Sequence, residues 1–519
     1  MARNTTLRAW VALTLGSLFF IGTLSIAAVL VSAGVSMGSY AHEELRGRAM
    51  LLCFAIGVVL MIAGVALAFW LWPRLPAFKP PGPELKRELH PALFKEIDRV
   101  AARCGVTPPK YVYLAPGVEA FVSDVGGFAG FFPTRVMAIG LPLLHCLSRA
   151  EFRSVLAHEF GHFLGGDTRI GNVLFRMQSA IGSVAGNLTA RWEDAEDDGE
   201  SVGLAIFFGI ARLPFVWFHG FYLRFSLALY RAQELAADAQ AAQLEGVEVL
   251  VRALTRVRGA AIGFDSYFRN EVVPLLEQGV LPPVGAGLLQ FLDAPGVPEH
   301  LTRVIAKMDE EPEHALDTHP PLVTRIKHAR GLRLGPHRGN ATMEGLAFEL
   351  ITHVSELELL LAEKWVRGAK LKRLTWEQSG PARERAWRER AQELRKVFGE
   401  VTPRSLPRDP EALRPLLGSL MGARAQHVAP ENVVLIAAAA FTPIVTVQLL
   451  DAGFIIGNSP GASVRITRGD EHYEPTRLLR EWLFDGKDEA WLAMWDSTGL
   501  ADVQFARSGL DDEPAQVVA

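Results

Sequence analysis

Residues 155–167 read VLAHEFGHFLGGD, and the string His158-Glu159-Phe160-Gly161-His162 within it governs how the rest of the chain is read. On an α-helix, positions four apart leave the same face. His158 and His162 can therefore aim two imidazoles at one metal ion. Glu159, next to the first of them, is placed to reach a water on such an ion without binding the ion itself. An ordinary amphipathic helix with two histidines would show the same five letters, so the flanking and downstream residues decide. Ser148 followed by Glu151 signals a helix start and Gly165-Gly166 its end, which predicts a helix over about 149–164.

A catalytic metal normally takes a third protein ligand and keeps one position open. The segment YRAQELAADAQ at 230–240 supplies a candidate. Glu234 and Asp238 are also four apart, and Leu235, Ala236, Ala237 and Ala239 make their surroundings apolar for a solvated acidic stripe. Upstream, residues 85–104 have the pattern of an amphipathic helix. Strand-like segments follow at 111–114, 120–122 and 136–139, with Gly126, Gly127 and Gly130 where a hairpin connection would need them.

The amino-terminal end has a different chemistry. Residues 9–34 and 49–72 carry no charge and are each long enough to span a bilayer. Trp10, Trp70 and Trp72 stand near their ends, where indole rings favour the interface. A cleaved signal peptide is the alternative for the first stretch, but its apolar core is long and a second span follows at once. Arg3 and Arg8 precede the pair and Arg74, Lys79, Lys86 and Arg87 follow it, while the intervening loop is balanced in charge. Positive-inside placement then puts both ends in the cytoplasm. Pro80-Pro81-Gly82-Pro83 is expected to be a stiff linker.

Bulk composition excludes some classes. The 519 residues carry a net charge of −4, so no broad basic face exists for nucleic acid. Cys53, Cys104 and Cys146 are scattered, which argues against a disulfide framework or a thiolate metal site and fits a reducing compartment.

Taken in order, three matches resemble the membrane-associated zinc metallopeptidases that include the HtpX-like and CaaX prenyl endopeptidase-like proteins (gluzincins). They are His158-Glu159-Phe160-Gly161-His162, Glu234-Leu235-Ala236-Ala237-Asp238, and Thr318-His319-Pro320-Pro321 with Arg325. The resemblance implies Zn2+ held by His158, His162 and Glu234, with Glu159 as general base. It also implies that His319 stabilises the transition state and that Asp238 and Arg325 support the ligands. Glu119-Ala120 stands where the family usually has Asn-Ala on the substrate-binding strand, and by that position the resemblance places these two at the substrate edge.

The fold expected is α+β: a mainly helical zincin-type domain with a small β-sheet over 84–335, preceded by a transmembrane hairpin over 1–78. A helical segment and a small α+β module of unread role fill 340–519. The expected activity is that of a membrane-anchored endopeptidase acting on membrane-associated or misfolded proteins, multi-pass in the inner membrane with the catalytic part on the cytoplasmic side. The bilayer and a protein or peptide substrate are its expected partners. A prenyl-type processing protease and a non-catalytic membrane scaffold are the alternatives, the second disfavoured by the intact base and ligands.

Two apolar segments leave questions of placement. The insertion 171–228 separates His158 from Glu234, so any crossings within it must be even in number for one ion to bind both. Its first half, 171–190, contains Arg176, Gln178 and Asn187, and charge at mid-bilayer is costly. The preferred reading is no crossing, with 171–190 and 202–223 at the interface or packed on the hairpin; two crossings, as the family resemblance suggests, are the alternative. Val433–Leu450 fits a buried core segment about as well as a span, and the strand-like and turn-like segments after it favour the core.

Overall fold

No proline interrupts residues 2–44, and the first apolar stretch continues well past its expected end as one helix, α1 (Ala2–Glu44), joined to α2 (Gly47–Leu71). The computed structural model describes residues 2–71, 78–125, 134–163, 167–197, 202–310, 320–334, 345–366, 370–398, 401–422, 426, 428, 430–457, 460, 465–485 and 488–505. The polar loop expected between the two spans shrinks to Leu45 and Arg46, with Gly47 at φ +64° making the turn. Glycines set the seam between these helices. A Cβ on Gly57 would fall 2.7 Å from the Gly34 carbonyl oxygen, and one on Gly64 would fall 2.6 Å from that of Ala27. Such near backbone contact is how helices pack where lipid offers no hydrophobic gain.

The Pro80–Pro83 segment is not a free linker. The Leu114 amide donates to the Pro83 carbonyl at 2.9 Å, and Gly82 lies so close to Leu114 that a Cβ would fall 2.2 Å from its carbonyl oxygen. This contact delivers a short strand, β1 (Glu84–Leu85), to the sheet. The helix expected from residue 85 begins six residues later, as α3 (Pro91–Cys104), with proline in its first turn, where no amide is needed. Then come β2 (Tyr111–Ala115), β3 (Ala120–Val125) and β4 (Thr134–Gly140). The sheet order is β1-β2-β4-β3, with β2 parallel and β3 antiparallel to β4, so β3 is an edge. Gly126, Gly127 and Gly130 lie outside the described residues.

Helix α4 (Leu141–Cys146) leads into α5 (Arg149–Gly161). The capping box is formed: Ser148 Oγ accepts from the Glu151 amide at 3.3 Å, and the Glu151 carboxylate accepts from the Ser148 amide at 2.9 Å. The helix stops at Gly161 rather than 164, with His162 as its C-cap and Phe163 closing a tight turn onto the Phe160 carbonyl at 2.9 Å. Gly165 and Gly166 are outside the described residues. Phe152, Leu156 and Phe160 of α5 pack with Ile97 of α3 and with Val112, Leu114, Met137 and Ile139 of the sheet to make the main core.

Helices α6 (Asp167–Asp197) and α7 (Val202–Glu245) pack against the α1–α2 hairpin. Ile181 and Tyr222 meet Ala12, while Val184 and Leu188 meet Ala27 and Leu67. On the outside Phe207, Ile210 and Trp217 are exposed. Three helices among the described residues are long and apolar enough to cross a membrane: α1 from Trp10, α2, and α7 from Ala205. Helix α8 (Val247–Tyr267) follows at once.

Residues beyond about 390 form a second core around the helix Pro430–Asp451, joined by Trp482, Trp491 and Trp495. Every described side chain from Val433 to Leu450 is buried or half-buried. This stretch is therefore the central helix of the module, with a three-stranded sheet from Ile455–Gly457, Arg465–Arg468 and Glu471–Tyr473 beside it. The whole is α+β and mostly helical.

One buried histidine makes the fold sensitive to acid. His145 of α4 stacks on Phe348 at 4.4 Å and abuts Gly285, and its Nε2 has no hydrogen-bond partner among the described residues. Burial pushes its pKa from the usual value of about 6.5 down to about 4. The unfolded chain then takes up this proton first as pH falls. Stability is complete above about pH 6.5 and lost towards pH 4, by ~3 kcal/mol at about 1.4 kcal/mol per unit. His145→Leu is expected to flatten that part of the acid limb when unfolding in detergent is followed from pH 7 to 4. An unchanged slope would remove His145 as its source.

Candidate metal centre

The site is built where α5 and α7 cross. A Cβ on Gly161 would fall 2.9 Å from the Ala237 Cα, so the two backbones are almost in contact and no larger residue fits between them. The helices run antiparallel here: Arg153 faces Glu245, His158 faces Asp238, and His162 faces Glu234. Close approach lets the short carboxylate arm of Glu234 reach both imidazoles.

His158 Nε2 lies 3.6 Å and His162 Nε2 3.4 Å from the Glu234 carboxylate oxygens, and one ligand atom from each residue falls within 4.8 Å of the others. Donors 2.0–2.2 Å from a tetrahedral zinc ion sit about 3.4 Å apart, so the spacing and the nitrogen–oxygen donor set fit such an ion. The His158 and Glu234 side chains are 11% and 8% exposed, whereas that of His162 is 30% exposed, so the site opens on the His162 side.

A polar layer backs these three side chains. His158 Nδ1 is 3.0 Å from Asp238 Oδ1, which turns the ring so that Nε2 faces Glu234. Arg325, on the helix Leu322–Arg330, donates two hydrogen bonds to Asp238, at 2.8 and 2.7 Å. Burial alone would push the Asp238 pKa up, but the Arg325 and His158 contacts outweigh it and hold the carboxyl at about 2. For Arg325 burial works the other way, and its bonds to Asp238 prevail and raise it. This pair is charged throughout the physiological range.

Of the remaining expected site residues, Glu159 is half-buried beside His158, close enough for its charge to act on Arg325. His319 and Thr318 lie outside the described residues. Glu119 and Ala120 sit at the start of β3, where the Glu119 carbonyl accepts from the Gly140 amide at 2.7 Å and Ala120 pairs with Ile139. Sequence reading missed the ion network at the far end of the helix pair. Arg153 donates to Glu245 at 3.0 Å, and Arg103 of α3 binds the same carboxylate. Glu245 stands three turns beyond Glu234 on the same stripe of α7, a periodicity that could have flagged it.

Residues 88–333 match the model of peptidase family M48. A protease HtpX homolog of Acidiphilium cryptum is 30% identical over 219 residues, 39% of this chain and 68% of that protein. Protease HtpX of Vibrio campbellii is 30% identical over 172 residues, 32% of this chain, and the match spans only 57% of its length. Protease HtpX of Acinetobacter baylyi is 25% identical over 253 residues, 44% of this chain and 79% of its own. No solved structure matches the chain at a significant level. His158 and His162 at the end of α5, Glu234 of α7 and the Asp238–Arg325 pair behind them all fall inside the matched region, and the chain belongs to peptidase family M48.

Proposed function

We propose that this chain is a membrane-anchored zinc endopeptidase. The observation that carries the reading is the convergence of His158, His162 and Glu234 within 4.8 Å, inside a region that matches a peptidase family. A zinc ion held there would supply Lewis acidity, polarising both a water and the scissile carbonyl. Glu159 takes the proton of the attacking water at its carboxylate and returns it to the leaving amine. Asp238 holds the proton on His158 Nδ1, leaving Nε2 as the metal-facing donor, and Arg325 keeps Asp238 ionised. His319 is assigned a hydrogen bond to the oxyanion that forms on the substrate.

Strand β3 is the natural place for an extended substrate. Its outer side has no partner strand among the described residues, and its inner side is held by β4. Pairing there reads backbone rather than side chains, which suits varied protein substrates, membrane-associated or misfolded. Glu119 and Ala120 open that strand and are assigned to its substrate edge. Arg3 and Arg8 at the start of α1, ahead of its apolar stretch, and Lys79, Lys86 and Arg87 after α2 support a cytoplasmic placement for the catalytic part, in the inner membrane.

Three measurements test this. Purified protein and Glu159→Gln should each hold about one zinc per chain, with peptide hydrolysis about a hundredfold or more lower in the variant; equal turnover would remove Glu159 from the chemistry. Asp238→Asn should weaken zinc about 10- to 100-fold in a chelator competition, since it frees the His158 ring; unchanged affinity would deny Asp238 its supporting role. Lys79→Cys should react with an impermeant thiol reagent only in inside-out vesicles, and reaction in right-side-out vesicles would reverse the orientation.

A further inference from the structure

His162 occupies a weak position for a metal ligand. As the C-cap it lies beyond the last full turn of α5, where helices fray and backbone carbonyls lack partners. What steadies it must come from outside the helix. The next residue, Phe163, lies under the guanidinium of Arg135, 4.0 Å from the ring centroid.

Arg135 is occupied on every side. Its Nε and one terminal nitrogen bond the two carboxylate oxygens of Asp124 at 2.9 and 3.2 Å, and its other terminal nitrogen donates to the Thr107 carbonyl at 3.0 Å. Asp124 is its cross-strand partner near the end of β3, the edge strand. Both side chains are mostly buried, 19% and 13% exposed. One flat cation thus adds a side-chain link between two elements that already pack on each other: it meets the His162 end of α5 through its face and holds the edge strand through its rim. Only a planar fork can do both, because a lysine is a point charge without the second bond or the stacking face.

We propose that Arg135 is a positioning residue that fixes the register of β3 relative to His162, so that a substrate strand paired on β3 is presented to the metal in one alignment. The proposal rests on the endopeptidase reading, and its test separates the two. In the full-length protein in detergent, Arg135→Met is expected to keep about one zinc per chain. Its KM for an extended peptide should rise about tenfold, the effect of losing one charged hydrogen-bonded contact. Its kcat should stay near the parent's, and a peptide too short to reach residues 122–125 should show little change. Arg135→Lys, which keeps the charge but loses the fork, should fall between the two. Asp124→Asn should match Arg135→Met, and the double variant should be no worse than either alone.

Hydrogen exchange provides a readout that needs no turnover. Amides of 120–125 and of 160–163 should lose protection together in Arg135→Met, with the core around Trp491 unchanged. Loss at one segment without the other, an additive double variant, or equal KM effects on long and short peptides would each overturn the proposal. Absence of zinc or activity in the parent, with coupled exchange intact, would overturn the endopeptidase reading alone.

Discussion

The antiparallel contact of α5 and α7, with Gly161 against Ala237, is the constraint on which the site depends. Three donors from two helices must converge within the reach of one ion, and the carboxylate of Glu234 is short. With a β-branched residue in place of Gly161, the helices would separate by roughly the thickness of a methyl group or two, a displacement comparable with a whole metal–ligand bond. Small residues on both sides therefore do as much for the centre as the donors. At the far end of the pair, Arg103 and Arg153 share Glu245, which fixes the helices against sliding. Close packing sets the separation and the ion network sets the register.

The buried charges around this crossing are all in pairs or chains. Asp238 is fully buried, a placement that would be prohibitive for an unpaired carboxylate. Arg325 from a third helix makes it tolerable by a two-point bond, and the residual negative charge holds the His158 ring. The result is a fixed local field that favours a cation at His158 Nε2. The same logic appears at Arg135, where a planar cation satisfies an edge-strand carboxylate while covering an aromatic ring. In both places arginine is used where two directions must be served at once.

What the sequence disclosed, and what it hid, follows from the range of the interactions. The capping box at Ser148 and Glu151 and the four-residue spacing of His158 and His162 are local, and both are readable from neighbouring letters. The fold class was readable too, because alternation and helical periodicity survive in a single chain. The parallel pairing of β2 with β4 was not, since it joins segments that no turn connects. The tight lie of Gly82 against Leu114 was hidden for the same reason: a Pro-Gly-Pro run looks like a linker until the surface it rests on is known. Helix α1 runs on past its uncharged stretch because charge alone does not end a helix, and Tyr40 to Glu44 contain nothing that breaks one. His319 sits outside the described residues, so its place rests on the motif Thr318-His319-Pro320-Pro321 alone.

Helix α7 ties the apolar bundle to the candidate metal site without a joint. Tyr222 packs against α1 in the bundle, and Glu234 lies 12 residues further along the same helix, about 18 Å at 1.5 Å per residue. No hinge residue interrupts that stretch, because the one proline in α7, Pro214, lies on the other side of Tyr222. The Glu234 side chain is thus held at a fixed height relative to the bundle, and α5, locked to α7 by the glycine contact, gives His158 and His162 the same height. Motion of the bundle relative to the site would have to bend α7 itself or break the Gly161–Ala237 contact. A site mounted this way stays at one distance from whatever surface the bundle occupies, a restriction set by the backbone and independent of any side-chain preference.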